Sequence, residues 1–278
     1  MKNPKKMQNR QRNTVIIGDV SISRVSAGHY FGDAGAAMGV LPKTLWQKFL
    51  QPDEKNRIKL ALNCFLIKSE GKNVLIDTGI GNKLPEKSQK IYNASEFILL
   101  ESLNSIDVKP EEIDFVILSH LHFDHAGGVV SLNNGIPELT FPNAVHIIQE
   151  KEWNTALNPD DLNKPAYNFK SDLALLESSG KFQLVNGDFQ VTHEVSVSLT
   201  GGHSEGNQIV KIHSGDEFAV FAGDIISMKA HQHPAVTTAY DVSRKDTFAA
   251  KNLILNELNQ THGTLLLVHE PENFYVRY

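Results

Sequence analysis

Four side chains that bind metals well lie within six residues near the middle of the sequence. The segment Ser119-His120-Leu121-His122-Phe123-Asp124-His125 follows the apolar run 115–118. Because side chains of an extended chain alternate between two sides, His120 and His122 should project to the same side at the end of a strand. Imidazole nitrogens and carboxylate oxygens are ligands for Zn²⁺ and similar divalent ions. The segment therefore predicts a site for one metal ion or for two adjacent ions.

Three further donors come after predicted strands later in the chain. His203 follows the pair Gly201-Gly202, Asp224 follows the run 217–222, and His269 follows the run 264–268. Each of them alone is more typical of an ordinary loop residue, just as Asp124 alone would fit a helix N-cap. In this order, and after the histidine-rich segment, they indicate a shared metal site.

Short apolar runs alternate with helical patterns along the chain, which is typical of an α/β protein. The predicted strands are 14–22, 62–68, 73–77, 115–119, 145–148, 182–185, 189–199, 208–213, 217–222 and 264–268. The predicted helices are 95–105, 149–156, 168–178 and 245–260, the last with Ser243 and Asp246 in a capping pattern. Glu70-Gly71-Lys72-Asn73 is interpreted as a hairpin turn. The predicted strands fit one system of sheets, so we predict a single domain over 14–278. We also predict a flexible basic arm over 1–13.

The composition excludes several classes of protein. Hydrophobic residues make up 41% of the 278 positions and charged residues 21%, which is too balanced for a disordered or collagen-like chain. The formal net charge of −5 argues against a nucleic-acid-binding surface. No stretch approaches the roughly 18 consecutive apolar residues of a membrane span. A chain of this length buries enough surface to fold without a metal, so a bound metal should serve chemistry.

Two features bear on the cellular location. The N-terminal lysines and arginines are not followed by an apolar stretch of signal-peptide length, so we interpret residues 1–13 as a solvated arm. Cys64 is the single cysteine and cannot form an internal disulfide, which fits a small buried side chain in a reducing compartment. We therefore expect a cytoplasmic protein without nucleic-acid or membrane contacts.

The order of these motifs resembles the metallo-β-lactamase-fold hydrolases over residues 14–270. The resemblance implies a four-layer αβ/βα sandwich of the α/β class, in which two mixed sheets flanked by helices hold two metal ions at their edge. The ligands it implies are His120, His122 and His203 for the first ion and Asp124, His125 and His269 for the second, with Asp224 bridging the two. Asp77, in the segment 75–79, matches an aspartate that orients the ligands from behind, although an aspartate before glycine also fits a turn.

Within that superfamily, several loops resemble the quorum-quenching, or acyl-homoserine, lactonases. The likeness rests on the loop 32–43 followed by Leu45-Trp46, and on the segments 201–206, 230–234 and 239–241. The residues predicted to line the substrate pocket are Phe31, Met38, Trp46, Ser227, His231 and His233. The first three would equally fit the core, and the two histidines would fit a polar loop.

One position departs from the small lactonases that this chain resembles. Those enzymes carry a tyrosine three residues after the bridging aspartate, where it contacts the reacting carbonyl. This chain has Ser227 there. Tyr240 and His231 are the candidates to replace that tyrosine.

These assignments predict a metallohydrolase of the lactonase or esterase type. A water that bridges two divalent cations loses a proton near neutral pH, and the hydroxide then attacks a lactone carbonyl that the metals polarise. Asp124 and Asp224 are the predicted catalytic carboxylates, and Asp124 would carry the proton to the leaving alkoxide. Zinc is the expected metal, and Mn, Fe or Co suit the same ligands.

Two other functions fit the same residues. The substrate could be an organophosphate triester or another ester, because the same nucleophile attacks phosphorus or carbon. Outside the enzymes, the alternative is a metal-containing sensing or binding protein with little turnover. Homodimers are common among proteins of this kind, so pairing of two copies is an expectation from the resemblance.

Overall fold

The computed structural model describes residues 13–278. The predicted arm therefore lies outside the described residues, apart from Asn13. That residue binds Arg24 twice: its carbonyl accepts from the Arg24 backbone N–H at 2.8 Å, and its Oδ1 accepts from the guanidinium at 2.6 Å. In this part of the chain, no helix has the length and apolar character needed to cross a membrane.

Seven strands form the first sheet. In spatial order they are β1 (Thr14–Ile17), β2 (Val20–Asp33), β3 (Arg57–Ser69), β4 (Lys72–Ile76), β5 (Phe115–Ile117), β8 (Val145–Gln149) and β9 (Phe182–Val185). The first four pair antiparallel, and β4, β5, β8 and β9 pair parallel. The sheet is therefore mixed, as predicted.

Six strands form the second sheet. In spatial order they are β10 (Phe189–Gln190), β11 (Val195–Leu199), β12 (Gln208–Ser214), β13 (Glu217–Phe221), β14 (Thr264–Leu266) and β15 (Tyr275–Arg277). Only β13 and β14 pair parallel within it. A separate hairpin joins β6 (Val130–Asn133) to β7 (Ile136–Leu139).

The helices of the described residues cover the outer faces of the sheets or connect their strands. They are α1 (Ala34–Met38), α2 (Lys43–Trp46), α3 (Glu86–Tyr92), α4 (Leu99–Ser105), α5 (Phe123–Ala126), α6 (Glu150–Leu157), α7 (Phe169–Asp172), α8 (Ala174–Ser179) and α9 (Arg244–Thr261). The predicted capping pattern of α9 is confirmed, because the Ser243 side chain accepts from the backbone N–H of Asp246.

The alternation of side chains along the strands produces four layers. Phe65 on β3 and Phe221 on β13 meet in a core between the two sheets, with their ring centroids 5.5 Å apart. Their neighbour Leu66 points to the opposite face of the first sheet, where helices cover it. Val220 likewise points to the far face of the second sheet and packs with Ile254 of α9. The order of layers is helix, sheet, sheet, helix, which confirms the predicted αβ/βα architecture.

Several predicted boundaries were wrong for local reasons. The strand predicted over 14–22 is a hairpin, because Gly18 adopts a φ of +54° and turns the chain into β2. The strand predicted over 189–199 is two strands, and the helix predicted over 168–178 is two short helices broken at Leu173. The hairpin turn at Glu70-Gly71 is confirmed. The strands β6, β7 and β15 and the helices α1, α2, α3 and α5 were not predicted.

The sheets place the chemistry at one edge of the sandwich. The parallel strands β4 and β5 end together, so the residues that follow them, from Asp77 and from Ser119 onward, share that edge. In the second sheet, the parallel strands β13 and β14 end together and are followed by Asp224 and His269. The four segments meet at one end of the core that the sheets share.

Candidate metal centre

The structure brings all seven predicted ligands together. Their ligand atoms form three overlapping groups within which every pair of atoms lies within 4.8 Å. The groups are His120, His122 and His203; His120, His125 and Asp224; and Asp124, His125 and His269. Because His120 and His125 each belong to two of these groups, the described residues offer adjacent ligand sets for two metal ions.

The spacing between donor atoms matches that of ligands around a small cation. The Nε2 atom of His203 lies 3.1 Å from Nδ1 of His122 and 3.4 Å from Oδ2 of Asp224. The Nε2 atom of His269 lies 3.2 Å from Oδ1 of Asp224 and 3.5 Å from Oδ2 of Asp124. Tetrahedral ligands at about 2.1 Å from zinc are separated by roughly 3.4 Å. The spacing therefore fits metal binding.

Each of four histidines has one ring nitrogen held by a neighbouring group. Nδ1 of His120 lies 3.1 Å from Ser119 Oγ, and Nδ1 of His269 donates to the Ala61 carbonyl at 2.8 Å. Nδ1 of His125 is 2.8 Å from Asp77 Oδ2, and Nδ1 of His203 is 2.9 Å from Asp241 Oδ1. This is the arrangement of a metal-binding imidazole, in which the outer nitrogen fixes the ring and the inner nitrogen faces the ion.

The ring nitrogens and the carboxylate oxygen that face the centre test whether metal ions fit there. Within residues 13–278, the buried Nε2 atoms of His120, His125 and His269 and the buried Oδ1 atom of Asp224 have no hydrogen-bond partner. Buried polar atoms are rarely left without a partner, since each one costs free energy. Divalent cations at the two ligand sets would satisfy all four atoms at once, so the residues fit two metals.

The electrostatics of the site divide its histidines into two groups. Burial, reinforced by the neighbouring His203, lowers the pKa of His122 to about 3. Burial and the nearby His125 lower the pKa of His120 well below its usual value. Burial alone would raise the pKa of Asp224, but the surrounding imidazoles, with His269 first, outweigh it and lower that pKa strongly. Burial would lower the pKa of His125, His203 and His269, but the nearby carboxylates outweigh it and raise all three. Because neutral imidazole is the form that binds metal, a metal ion entering this site displaces protons from these histidines.

Backbone geometry explains how these residues reach the centre. Gly201 and Gly202 have φ values of +61° and +89°, which turn the chain between β11 and His203. Gly223 has a φ of +52° just before Asp224. Glycine adopts these left-handed conformations at little cost. The glycines before His203 and Asp224 thus allow the turns that bring these two residues to the centre.

Asp77 lies behind the ligands, as the resemblance implied. Its side chain is 1% exposed, and Oδ1 accepts from the Ser119 backbone N–H at 2.8 Å. Oδ2 accepts from the Ser119 hydroxyl at 2.9 Å and lies 2.8 Å from His125 Nδ1. Asp77 also has a φ of +56°, so it forms the turn after β4 as well as contacting a ligand.

Sequence reasoning missed two other carboxylates behind the ligands. Asp241 Oδ1 contacts His203 and also accepts from the Thr238 hydroxyl at 2.8 Å. Asp241 belongs to a segment that carried the lactonase resemblance, but no pattern indicated its contact with His203. Glu152 is 1% exposed on α6, and an acidic residue in a polar helix carries no signal of burial.

Glu152 connects the two loops that supply the first ligand set. Its Oε1 accepts from the backbone N–H of Leu121 at 2.9 Å and from the Tyr167 hydroxyl at 3.0 Å. Its Oε2 accepts from the Ser204 hydroxyl at 2.7 Å and from the Gly206 N–H at 2.9 Å. Leu121 lies between His120 and His122, and Ser204 follows His203, so one buried carboxylate fixes the loops of all three histidines.

The residues predicted to line the substrate pocket do not form one wall. Met38 has no exposed surface and Trp46 is 2% exposed, so both lie in the core, which is the alternative that the sequence left open for them. Phe31 is half-buried, with the Arg57 guanidinium 5.5 Å from its ring centroid. His233 is exposed and lines an apolar groove of about 820 Å³.

The side chains of Ser227 and His231 contact each other, and the Ser227 carbonyl accepts from the backbone N–H of His269 at 2.8 Å. Ser227 Oγ lies 3.0 Å from His231 Nδ1, and His231 Nε2 donates to the Ala37 carbonyl at 3.0 Å. His231 therefore does not replace the missing tyrosine. Tyr240 is 51% exposed. The Tyr30 hydroxyl, in contrast, forms a hydrogen bond with a predicted ligand, because it donates to Asp124 Oδ2 at 2.8 Å.

The fold and the site together define a class of protein: four-layer αβ/βα proteins with a binuclear metal site at the edge of their two sheets. The family model of the metallo-beta-lactamase superfamily matches residues 58–256. The chain belongs to that superfamily.

Two individual proteins are similar to this chain. The chain is 30% identical over 202 residues to an N-acyl homoserine lactonase of Bacillus cereus, a match that covers 66% of this chain and 69% of that protein. A crystal structure described as a probable metal-dependent hydrolase from Staphylococcus aureus has a TM-score of 0.90 and 33% identity, and the match covers 95% and 94% of the two chains.

A third similarity is more distant. AidC, described as a dizinc quorum-quenching lactonase in complex with a product, has a TM-score of 0.78 and 23% identity, with 94% of this chain and 91% of that chain covered. At 23% identity, this similarity shows a shared fold.

Proposed function

We propose that this protein is a dinuclear-metal-dependent hydrolase that opens lactone rings, with N-acyl homoserine lactones as its substrate class. The observation that carries the proposal is the meeting of seven donor side chains in two adjacent ligand sets. The activity named for the Bacillus cereus relative and the product described with AidC support the choice of a lactone.

The overlapping groups of donor atoms support the ligand assignment that the resemblance implied. His120, His122 and His203 would hold one, Asp124, His125 and His269 the other, and Asp224 would contact both. Zinc is the proposed metal, because histidine and carboxylate ligands at this spacing suit it well. When bound, such a pair of ions supplies a nucleophile at neutral pH and polarises the scissile carbonyl.

Asp124 would move the proton of the reaction. Its Oδ2 atom accepts from Tyr30 and faces His125 and His269, which leaves Oδ1 to exchange a proton with the reacting groups. Burial would raise the pKa of Asp124, but His125 and His269 outweigh burial and lower it. The carboxylate is therefore ionised and free to accept a proton at neutral pH.

The overall step balances as a simple hydrolysis. The oxygen of one water forms a bond to the carbonyl carbon, and the bond from that carbon to the ring oxygen breaks. One proton of the water passes through Asp124 Oδ1 to the leaving alkoxide. The acid that forms ionises near neutral pH, so each turnover releases one proton to solvent.

Proton release gives a direct assay for this proposal. We expect the metal-loaded protein to open a long-chain N-acyl homoserine lactone with a kcat/KM above about 10⁴ M⁻¹s⁻¹, the lower range of ordinary enzymes. His122→Ala should lose this activity with its circular dichroism unchanged. His193→Ala is the matched control, because His193 is exposed and lies outside the ligand sets.

The alternatives give different results in the same assay. Rapid hydrolysis of a phosphotriester together with slow lactone opening would assign the site to organophosphates. Tight lactone binding with negligible turnover would assign a sensing protein. Either result, with two metals bound, would contradict the lactonase proposal while leaving the metal centre in place.

Two expectations from the sequence accompany the proposal. The buried, unpaired Cys64 supports a reducing and therefore cytoplasmic location. We propose a homodimer, and sedimentation equilibrium of the metal-loaded protein would test it by measuring a mass of one chain or of two.

A further inference from the structure

Tyr30, which lies 94 positions before Asp124 in the sequence, contacts the second ligand set. The Tyr30 hydroxyl donates to Asp124 Oδ2 at 2.8 Å, and both side chains are at least nine-tenths buried. The same Oδ2 atom lies 3.5 Å from Nε2 of His269 and 3.6 Å from Nε2 of His125. The phenol thus binds the carboxylate oxygen that faces the two histidines.

An extra residue in strand β2 aims Tyr30 at this position. Ser26 pairs with Asn63 of β3, but His29 pairs with Ala61, so β2 contains one more residue than β3 between these pairs. Gly28, within this bulge, has a φ of +117°. A bulge of one residue reverses which side chains face which side of the sheet and is frequent next to active sites.

The burial pattern shows the reversal. Val25 and Ala27, before the bulge, belong to the same core cluster as Tyr30, after it. Strict alternation would place residue 29 with them and direct Tyr30 to the opposite face. The extra residue is therefore what brings the phenol to the metal-binding edge.

Aromatic contacts hold the ring in this orientation. The Tyr30 ring packs edge-to-face against Tyr92 and His269, each with centroids 5.9 Å away, and against Phe123 at 6.4 Å. His269 is itself held by Ala61, the residue of β3 that pairs with His29. The same strand pair thus fixes both the tyrosine and a predicted ligand.

The direction of this hydrogen bond follows from the chemistry of the two groups. An ionised carboxylate only accepts hydrogen bonds, so the Tyr30 hydroxyl is the donor and Asp124 Oδ2 the acceptor.

We propose that Tyr30 is a positioning residue that orients the Asp124 carboxylate toward the second metal ion. The proposal rests on the metal centre proposed above. A carboxylate ligand can rotate and exchange its two oxygens, and a fixed donor on one oxygen removes that freedom. Hydrogen-bond partners of this kind typically change metal affinity 10–100-fold.

The test measures metal binding and needs no substrate. Stripped protein is titrated with Zn²⁺ in competition with a chromophoric chelator, which resolves the first and second equivalents. For Tyr30→Phe, we expect the affinity for the second equivalent to fall roughly 10–100-fold and the affinity for the first to stay unchanged. Tyr92→Phe is the matched control, since Tyr92 packs in the same aromatic group and, within the described chain, donates no hydrogen bond to a ligand.

A double variant separates positioning from general loosening of the site. If Tyr30 acts through Asp124, adding Tyr30→Phe to Asp124→Asn should cause no further loss of second-metal affinity. Wild-type affinity for both equivalents in Tyr30→Phe would overturn the proposal, as would an equal loss in Tyr92→Phe. Because no turnover is measured, these outcomes stay distinct from a failure of the lactonase proposal.

Discussion

Replacing Glu152 by glutamine should destabilise the protein at the junction of its two histidine loops. The carboxylate accepts four hydrogen bonds, two of them from the backbone N–H groups of Leu121 and Gly206. Glutamine offers one oxygen and one NH₂ group in the same space. The hydroxyls of Tyr167 and Ser204 can rotate to accept from that NH₂ group, but a backbone N–H cannot.

In either orientation of the amide, one buried backbone N–H therefore loses its acceptor. A buried group left without a partner costs about 1–3 kcal/mol, and the remaining hydrogen bonds lose the strength that a charged acceptor gives them. We expect Glu152→Gln to lower the free energy of unfolding of the metal-free protein by about 2–4 kcal/mol. Urea denaturation followed by circular dichroism measures this as a lower midpoint with an unchanged slope.

Glu150→Gln is the matched control for this experiment. Glu150 is exposed in the first turn of the same helix, where a negative charge interacts favourably with the helix dipole, so loss of its charge should cost less than about 1 kcal/mol. If Glu152→Gln shifted the midpoint no more than Glu150→Gln, the four hydrogen bonds would not stabilise the loops and this reasoning would be refuted.

Three other changes have defined outcomes. Asp241→Asn should weaken binding of the first zinc equivalent about 10–100-fold, because Asp241 fixes Nδ1 of His203; unchanged affinity in a chelator competition would contradict this. Burial lowers the pKa of Lys251 to about 8, from 10.5 in the unfolded chain. Between these two pH values only the unfolded chain binds this proton, so the free energy of unfolding rises with pH by up to about 1.4 kcal/mol per pH unit. In Lys251→Met, the urea midpoint should no longer show this rise between pH 8 and pH 10. The same pH dependence in the wild-type protein and in Lys251→Met would refute the prediction. Metal removal should leave the far-ultraviolet circular dichroism at 25 °C unchanged, since a chain of this length folds on its hydrophobic core, and loss of the spectrum would show a structural metal.

Features that depend on local pattern could be predicted from the sequence. His120 and His122 follow a short apolar strand, and two-residue spacing at a strand end puts both on one side. The long amphipathic helix α9 carries its own capping signal at Ser243. Such features need only the neighbouring residues to specify them.

Features set by long-range packing could not be predicted in this way. Tyr30 reaches Asp124 only because a bulge reverses the sides of β2, and the polar and small residues around Gly28 hide that strand's alternation. Glu152 is buried because donors from two distant loops surround it. Met38 and Trp46 have the composition of a substrate wall, but the packing around them makes them core.

The central claim is that two metal ions held by the seven ligands catalyse lactone opening. The most direct measurement titrates stripped protein with Zn²⁺ while proton release from a long-chain N-acyl homoserine lactone is followed in the same sample. We predict that turnover rises with added metal and reaches its plateau at two equivalents per chain. Full turnover in the stripped protein, or no turnover with two equivalents bound, would contradict the claim.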